Sequence, residues 1–307
     1  MTEFQNKLLQ TFKAFAQFCQ DNNLTYYAAY GTCLGAVRHN GFIPWDDDMD
    51  VFMMRKDYER LMSMRENLKD TIYWVSDFRD GKHPYTFAKF YSTDCSVWEY
   101  RQFQFIIGPW IDIFPLDGWN EGEVASKLYD DYHYALWKYR KALSTQSWRE
   151  IWGDLIHRNG YNGLIKLVKK CVYSPFEKSF HNKAISLLSQ VIEIKGDFYK
   201  NWNHKKKYVY PKEWFDGVLE MPFEDTTIAC SVGYKDFLTY EYGDYMELPP
   251  IESRVSNHRF FYSDLHNKKS SEEILKELSQ KGELSSSEAP PLKFRVLIDE
   301  ILHRKGF

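Results

Sequence analysis

Four aspartates, Asp46, Asp47, Asp48 and Asp50, fall within five positions in the run Pro44-Trp-Asp-Asp-Asp-Met-Asp. Carboxylates this close raise one another's pKa values unless a cation or hydrogen bonds compensate. From Asp48 to Met53 acidic and apolar side chains alternate before the run becomes wholly apolar, which reads as a strand. Side chains repeat every two residues on a strand, so Asp48 and Asp50 would share a face while Met49 and Val51 turn to the core. Two carboxylates side by side on a rigid strand suit Mg²⁺, which takes oxygen ligands and keeps water or phosphate in its other positions. The competing account is a solvated acidic turn. The apolar flanks and strict alternation speak against it.

One pair of carboxylates is incomplete for phosphoryl transfer, where two metals, or a metal and a base, draw on a third carboxylate. Asp112, in Gly108-Pro-Trp-Ile-Asp-Ile-Phe-Pro, stands alone inside an apolar strand. Burying it unpaired is costly, and a metal is a natural compensation; a hydrogen-bonded cap or turn is the alternative. Asp117 reads as turn chemistry before Gly118. Upstream, Gly31-Thr32 sits between a strand and a short helix, where backbone N–H groups can cradle phosphate. Arg38 can grip phosphate bidentately or make a surface ion pair, and His39 beside it reads as a polar turn residue. Lys89, with apolar neighbours in Phe87-Ala88-Lys89-Phe90, is a second candidate for phosphate charge or else a plain surface lysine. Tyr242, Asp244 and Tyr245 form a segment that either reaches over a bound donor or simply fastens the C-terminal part. Glu224 and His258 are candidates for an acceptor site. The basic run His204 to Lys207 reads as a solvated face.

The elements that must position these groups follow from periodicity. Phe4, Leu8, Phe12, Phe15 and Cys19 recur at steps of three and four, predicting an N-terminal helix. Leu24 to Tyr30 is β-prone, Thr32 to Arg38 is expected to open a short helix, and Asn40-Gly41 signals a turn. Lys56 to Lys69 reads as helix, followed by strand-like runs at Thr71–Phe78, Tyr85–Tyr91, Ser96–Tyr100 and Trp110–Phe114. The pattern is helical from about Glu123 to Ile194. Short strands follow near Gly217–Met221 and Thr226–Cys230, then a helix over Tyr234–Tyr242 closed by Gly243. Asn267 to Pro291 resembles a solvated linker with one helical piece at Glu272–Leu278, and Leu292 to His303 has helical spacing. Strands followed by helices predict an α+β chain. Its parts are a catalytic core over 1–120, a helical region over 121–210, a motif region over 211–265 completing the site, and a linker with a terminal helix over 266–307.

Composition bounds the function. The net charge of -3 over 307 residues argues against a nucleic-acid binder. No run approaches the roughly 20 apolar residues of a transmembrane helix, and the N-terminus lacks the basic-then-apolar pattern of a signal peptide. The expected location is the cytoplasm, with a soluble or membrane-presented substrate at its inner face. The five scattered cysteines read as reduced core thiols. Aromatic residues reach 18%, a core rich in large rings or, more sharply, a cage for a quaternary ammonium.

The run starting at Tyr30, YGTCLGAVRHNGFIPWDDDMDVFM, closely resembles the signature of the LicD family of phosphocholine transferases. WIDIFPLD at Trp110–Asp117, PFED at Pro222–Asp225 and YGDYMELPP at Tyr242–Pro250 match in order; a glycine more usual after Glu224 is replaced by Asp225. The resemblance implies a nucleotidyltransferase-type mixed-sheet core with a helical insertion and an irregular C-terminal part. It implies a metal and catalytic triad of Asp48, Asp50 and Asp112, with Asp46 and Asp47 in support. Gly31, Thr32, Arg38, Lys89, Asp244 and Tyr245 would then bind the donor. The cofactor implied is Mg²⁺, with Mn²⁺ as the alternative ion, and the donor CDP-choline. The acceptor would be a sugar of teichoic acid, lipopolysaccharide or capsule, free or lipid-linked. Relatives such as fukutin-related protein move ribitol phosphate from a CDP donor, so CDP-ribitol or CDP-glycerol chemistry stays open. So does transfer of a whole nucleotidyl group, and a non-catalytic choline- or glycan-binding module is the rival outside enzymes.

Overall fold

The structure, a computed structural model, describes residues 1–144, 151, 160–202, 208–256 and 260–282. Helix α1 (Glu3–Asp21) starts in a capping box: Thr2 Oγ1 accepts from Gln5 N, and Gln5 Oε1 accepts from Thr2 N. Its stripe of Leu8, Phe12, Phe15 and Cys19 is buried, and Phe15 packs on Phe90 of the central sheet with ring centroids 5.5 Å apart. Strand β1 (Tyr27–Ala28) leads into helix α2 (Tyr30–His39), then strand β2 (Asp50–Met54) and helix α3 (Arg55–Ser63).

Strands β3 (Tyr73–Ser76), β4 (Ala88–Ser92) and β7 (Trp110–Trp119) complete the path β1-β2-β7-β4-β3, while β8 (Phe198–Asn201) and β9 (Val209–Pro211) extend it beside β7. Among the described residues only β2 and β7 run parallel within it; the other pairs are antiparallel. The chain is therefore α+β with a mixed sheet. Strand β7 is longer than the expected Trp110–Phe114 and carries Pro115 in its middle. Proline has no N–H to give a ladder. Here its position falls where one edge of β7 changes partner, from β4 ending at Ile113 to β8 beginning at Leu116.

The lengthened strand overturns one expectation. Asp117 is not in a turn: it lies inside β7, 2% exposed, and takes two hydrogen bonds of 2.7 Å from Arg55 Nε and Nη2. Sequence pattern pointed to Gly118 as a breaker, but pairing with β8 at Tyr199 absorbs it. Removing one partner of a buried ion pair strands the other's charge and costs about 3–5 kcal/mol. Arg55→Met is thus expected to lower the urea midpoint strongly; a midpoint equal to wild type would contradict this role.

A second core joins Trp119 and Trp202 to helices α4 (Glu123–Leu143) and α6 (Glu177–Ile192), with α5 (Gly160–Tyr173) between them in sequence. Strands β5 (Ser96–Trp98), β6 (Ile106–Ile107) and β12 (Tyr262–Asp264) form a separate small sheet whose Val97 and Ile107 pack with Trp110 of the main sheet. Strands β10 (Val218–Phe223) and β11 (Thr226–Ser231) form a hairpin before helix α7 (Tyr234–Tyr242). Helix α8 (Ser271–Gln280) buries Ile274 and Leu278 against Trp98, so this piece of the expected linker is packed rather than solvated. The helix expected over Leu292–His303 lies outside the described residues. Cys19, Cys33, Cys95 and Cys230 are free and buried, and Cys171 is free and exposed.

Candidate active site

The parallel pairing of β2 with β7 sets Asp50 directly beside Asp112 at the start of both strands. Three hydrogen bonds hold these residues in place. Asp112 N donates to Met49 O at 2.8 Å, Ala29 N to Asp50 O at 2.9 Å, and Asp50 N to Thr32 Oγ1 at 2.7 Å. Thr32 lies in the first turn of α2 and is buried. Thr32→Val keeps the shape but leaves the Asp50 N–H without its acceptor, a cost of about 1–3 kcal/mol. The expected outcome is a lower melting temperature together with reduced turnover, and an unchanged melting temperature would contradict it.

Asp48, expected inside the strand, precedes β2 by two residues. The alternation nevertheless holds, with Met49 and Val51 fully buried and Asp48 and Asp50 half-buried. The acidic run is bent back towards α2 by a left-handed Asn40 (φ 52°), whose N–H closes the helix on Ala36 O and Gly35 O. Gly35 is required there: a Cβ on it would stand 2.5 Å from Gly41 O. Gly31 serves a similar purpose, since a Cβ would lie 2.7 Å from Asp46 Oδ2. The Gly31-Thr32 pair therefore belongs to a helix, where Gly31 admits an acidic side chain and Thr32 holds Asp50. Asp46 O accepts from Gln5 Nε2 at 2.8 Å, and Asp47 Oδ2 from Ser256 Oγ at 2.6 Å.

Several charges bear on one carboxyl, that of Asp50. Burial pushes the Asp50 carboxyl well above its ordinary value, and Asp48, Asp112 and Asp46 push it further, against the pull of Lys89. Burial likewise raises Asp112, to about 6, with Lys89 opposing. Lys89 is no surface lysine: it is 2% exposed, and its Nζ donates to Asp112 Oδ1 at 2.6 Å. The rings of Trp110 and Tyr85 lie 4.1 and 4.4 Å from that ammonium, so this aromatic cage already holds a cation of the protein's own. Loss of water around its hydroxyl and then the charge of Asp50 raise Tyr242, with Glu241, Asp46 and Asp48 adding to it, although the residue as a whole is 44% exposed. Tyr242 thus stands in the field of the aspartates.

The remaining candidates divide. Arg38 Nη1 donates to Tyr245 O at 2.8 Å and Glu247 O at 3.2 Å, and its Nε donates to His39 Nε2 at 3.0 Å. It ties the Tyr242–Pro250 segment to α2, which matches the fastening role rather than a surface ion pair. The Tyr245 side chain packs against the main core, while Asp244 is exposed. Glu224 braces the loop after α2: its Oε1 accepts from Phe42 N at 3.0 Å and its N–H donates to Asn40 O at 2.8 Å. It sits at φ 54°, a left-handed turn held without glycine, and Asp225 beside it pairs with Lys13 at 2.6 Å. His258 and residues 204–207 lie outside the described residues.

Asp48, Asp50 and Asp112 offer only hard oxygen donors, the set that suits Mg²⁺ or Mn²⁺. Their mutual repulsion around Asp50 is the imbalance that a divalent cation relieves. Among the described residues no three His, Cys, Asp or Glu side chains are already gathered into a ready metal site; the Asp112 carboxylate is turned to Lys89. Sequence reasoning named Tyr242 within the Tyr242–Pro250 segment but did not count it among the site residues. The brace from Thr32 Oγ1 and the contact from Gln5 carried no pattern by which to find them.

The mixed sheet, with Asp50 and Asp112 on adjacent parallel strands, is compatible with a nucleotidyltransferase-type core. Residues 23–152 match the family model described as LicD/FKTN/FKRP, nucleotidyltransferase domain. Across 261 residues it is 27% identical to the lipopolysaccharide cholinephosphotransferase LicD of Haemophilus influenzae, covering 84% of this chain and 96% of that protein. Shorter matches are to uncharacterised proteins of Rickettsia prowazekii, 39% identical over 69 residues (22% of this chain, 26% of that protein), and Rickettsia typhi, 46% over 68 residues (22% of each).

Proposed function

We propose that this chain transfers phosphocholine from CDP-choline to a hydroxyl of a surface glycan, or of its lipid-linked precursor, releasing CMP. The observation that carries the reading is the Asp50–Asp112 register, with Asp48 and Asp46 acting on the same buried carboxyl. Its agreement over most of the chain with a protein named as a cholinephosphotransferase supports the choice of group. No helix among the described residues is long and apolar enough to cross a membrane.

Asp48, Asp50 and Asp112 would hold Mg²⁺. When bound, that ion supplies charge neutralisation at the donor diphosphate and a template for in-line attack. The protein's own groups do the rest. Thr32 and the β2–β7 register fix Asp50 and Asp112 at adjacent positions, so little reorganisation is needed as charge develops. Lys89 keeps one oxygen of Asp112 occupied, and the other, with two lone pairs, would serve both the ion and the incoming hydroxyl, whose proton it takes. Tyr242 stands where it can orient donor groups over the aspartates.

A donor panel decides the group that moves. Incubation with CDP-choline, CDP-ribitol or CDP-glycerol and Mg²⁺ is expected to release CMP fastest from CDP-choline. Faster turnover of a polyol donor would reassign the group. Diphosphate released from CTP in place of CMP from any of the three would make the chain a nucleotidyltransferase. Tight, metal-independent choline binding without turnover would make it a binding module.

A further inference from the structure

A cavity of about 520 Å³ opens on the same face of the sheet as the Lys89–Asp112 pair. The register places it. Tyr91 lines the cavity and pairs with Trp110; Lys89, two residues back on β4 and on the same face, pairs with Asp112. Two residues of strand span roughly 7 Å, about one sugar ring. The rings of Tyr85 and Trp110 both pack against Lys89, and His83 on the cavity wall packs on Tyr85 with centroids 5.6 Å apart, so the cavity adjoins the Lys89–Asp112 pair.

The cavity is built for a polar, anionic guest. His83 is fully buried, its Nδ1 is engaged with the backbone of Tyr85, and its Nε2 has no hydrogen-bond partner. A buried polar nitrogen without a partner is costly and calls for one. Four cationic side chains line the space against the single carboxylate of Asp80. Arg65 is held by Asp80, and Lys269 by Asp264 and Glu277. Lys82 and Lys268 are exposed and make no ion pair among the described residues. Trp74 and Tyr91 offer rings for the apolar face of a sugar.

We propose that this cavity is the acceptor subsite and that it takes a sugar bearing a phosphate group, with Lys82 and Lys268 on the phosphate, His83 Nε2 on a hydroxyl, and the attacking hydroxyl directed at Asp112. The assignment rests on the transferase reading above. It is tested by calorimetry on the full chain, titrating glucose 6-phosphate, glucose, inorganic phosphate or CDP-choline with Mg²⁺ into wild type and into the Lys82→Glu/Lys268→Glu double variant. Glucose 6-phosphate is expected to bind at least tenfold more tightly than glucose or phosphate. The double variant should weaken it by at least tenfold while changing CDP-choline affinity less than twofold. His83→Phe, which removes the unpartnered nitrogen, is expected to weaken the sugar phosphate as well; should that variant not fold, the lysine variant decides alone. No binding of glucose 6-phosphate, equal affinity in both proteins, or inorganic phosphate binding as tightly as the sugar phosphate would overturn the proposal. So would a loss of CDP-choline affinity in the double variant, which would make the cavity a donor site. Failure of wild type to bind CDP-choline while the sugar-phosphate result holds would instead count against the transferase reading.

Discussion

Asp50→Asn is expected to abolish most turnover, by about 10³-fold or more, while raising the melting temperature. Both halves follow from one feature. Asp50 is held beside Asp112 with Asp48 and Asp46 in range, and its ionised form is opposed by burial and by all three neighbours. An amide of the same shape removes that repulsion. The gain is about 1.4 kcal/mol for every tenfold by which the fold weakens the acid. The same change removes a ligand charge from the reacting centre. A loss of 10³ in rate corresponds to about 4 kcal/mol of transition-state stabilisation. Sites that do chemistry commonly trade stability for charge in this way. Asp112→Asn should lose activity equally but lower the melting temperature, because buried Lys89 would keep its charge without its partner. Steady-state kinetics and thermal unfolding on the two variants check this. An Asp50→Asn protein that turns over at near wild-type rate, or is destabilised, contradicts it.

The second large effect is that of the metal on stability, and it carries a pH signature. An ion that binds only the folded state at a hundred times its Kd stabilises by about 2.7 kcal/mol, a shift on the order of 5–10 °C. The folded-state pKa values of Asp50 and Asp112 are raised, so folding favours their protonated forms. For such groups, metal-free stability falls as pH rises from the ordinary carboxylate range, about 4, through the folded value, about 6 for Asp112. His83 works the other way: burial depresses it to about 3, so its contribution is present above its ordinary value and is lost as pH falls below about 6.5. The difference between melts with and without Mg²⁺ cancels His83 and leaves the aspartates. Metal binding must displace their protons, so the Mg²⁺-induced shift is expected to be several degrees at pH 7.5 and to shrink towards zero at pH 5. A shift that is equal at both values, or equally large in Asp50→Asn, would contradict the assignment.

Much of the site was legible because its chemistry is written in short-range alternation. Met49 and Val51 go inward and Asp48 and Asp50 do not, and a lone Asp112 among apolar residues marks a buried charge in need of a partner. Helices α1 and α7 followed from stripe spacing and a closing glycine. What pattern alone could not give was pairing. The parallel register of β2 with β7 joins residues 62 apart in sequence, and no local propensity encodes it. Asp117 was misread for that reason: Gly118 looks like a breaker until β8 supplies a partner strand. Lys89 lies on its strand as expected, but its burial depends on Tyr85 and also on Trp110, which closes over it from another strand, a long-range contact. Arg38 shows a third kind of gap. Its type suggested an anion, yet it holds the backbone carbonyls of Tyr245 and Glu247, groups that leave no mark on residue identity.

The most direct test is a titration of Mn²⁺ into the full chain at pH 7.5, followed by the loss of the free-ion signal in electron paramagnetic resonance. Wild type should take up the ion at a site that Mg²⁺ competes for, and both Asp50→Asn and Asp112→Asn should lose it while remaining folded. Equal uptake by wild type and the two variants would place the cation elsewhere and sink the account of these aspartates.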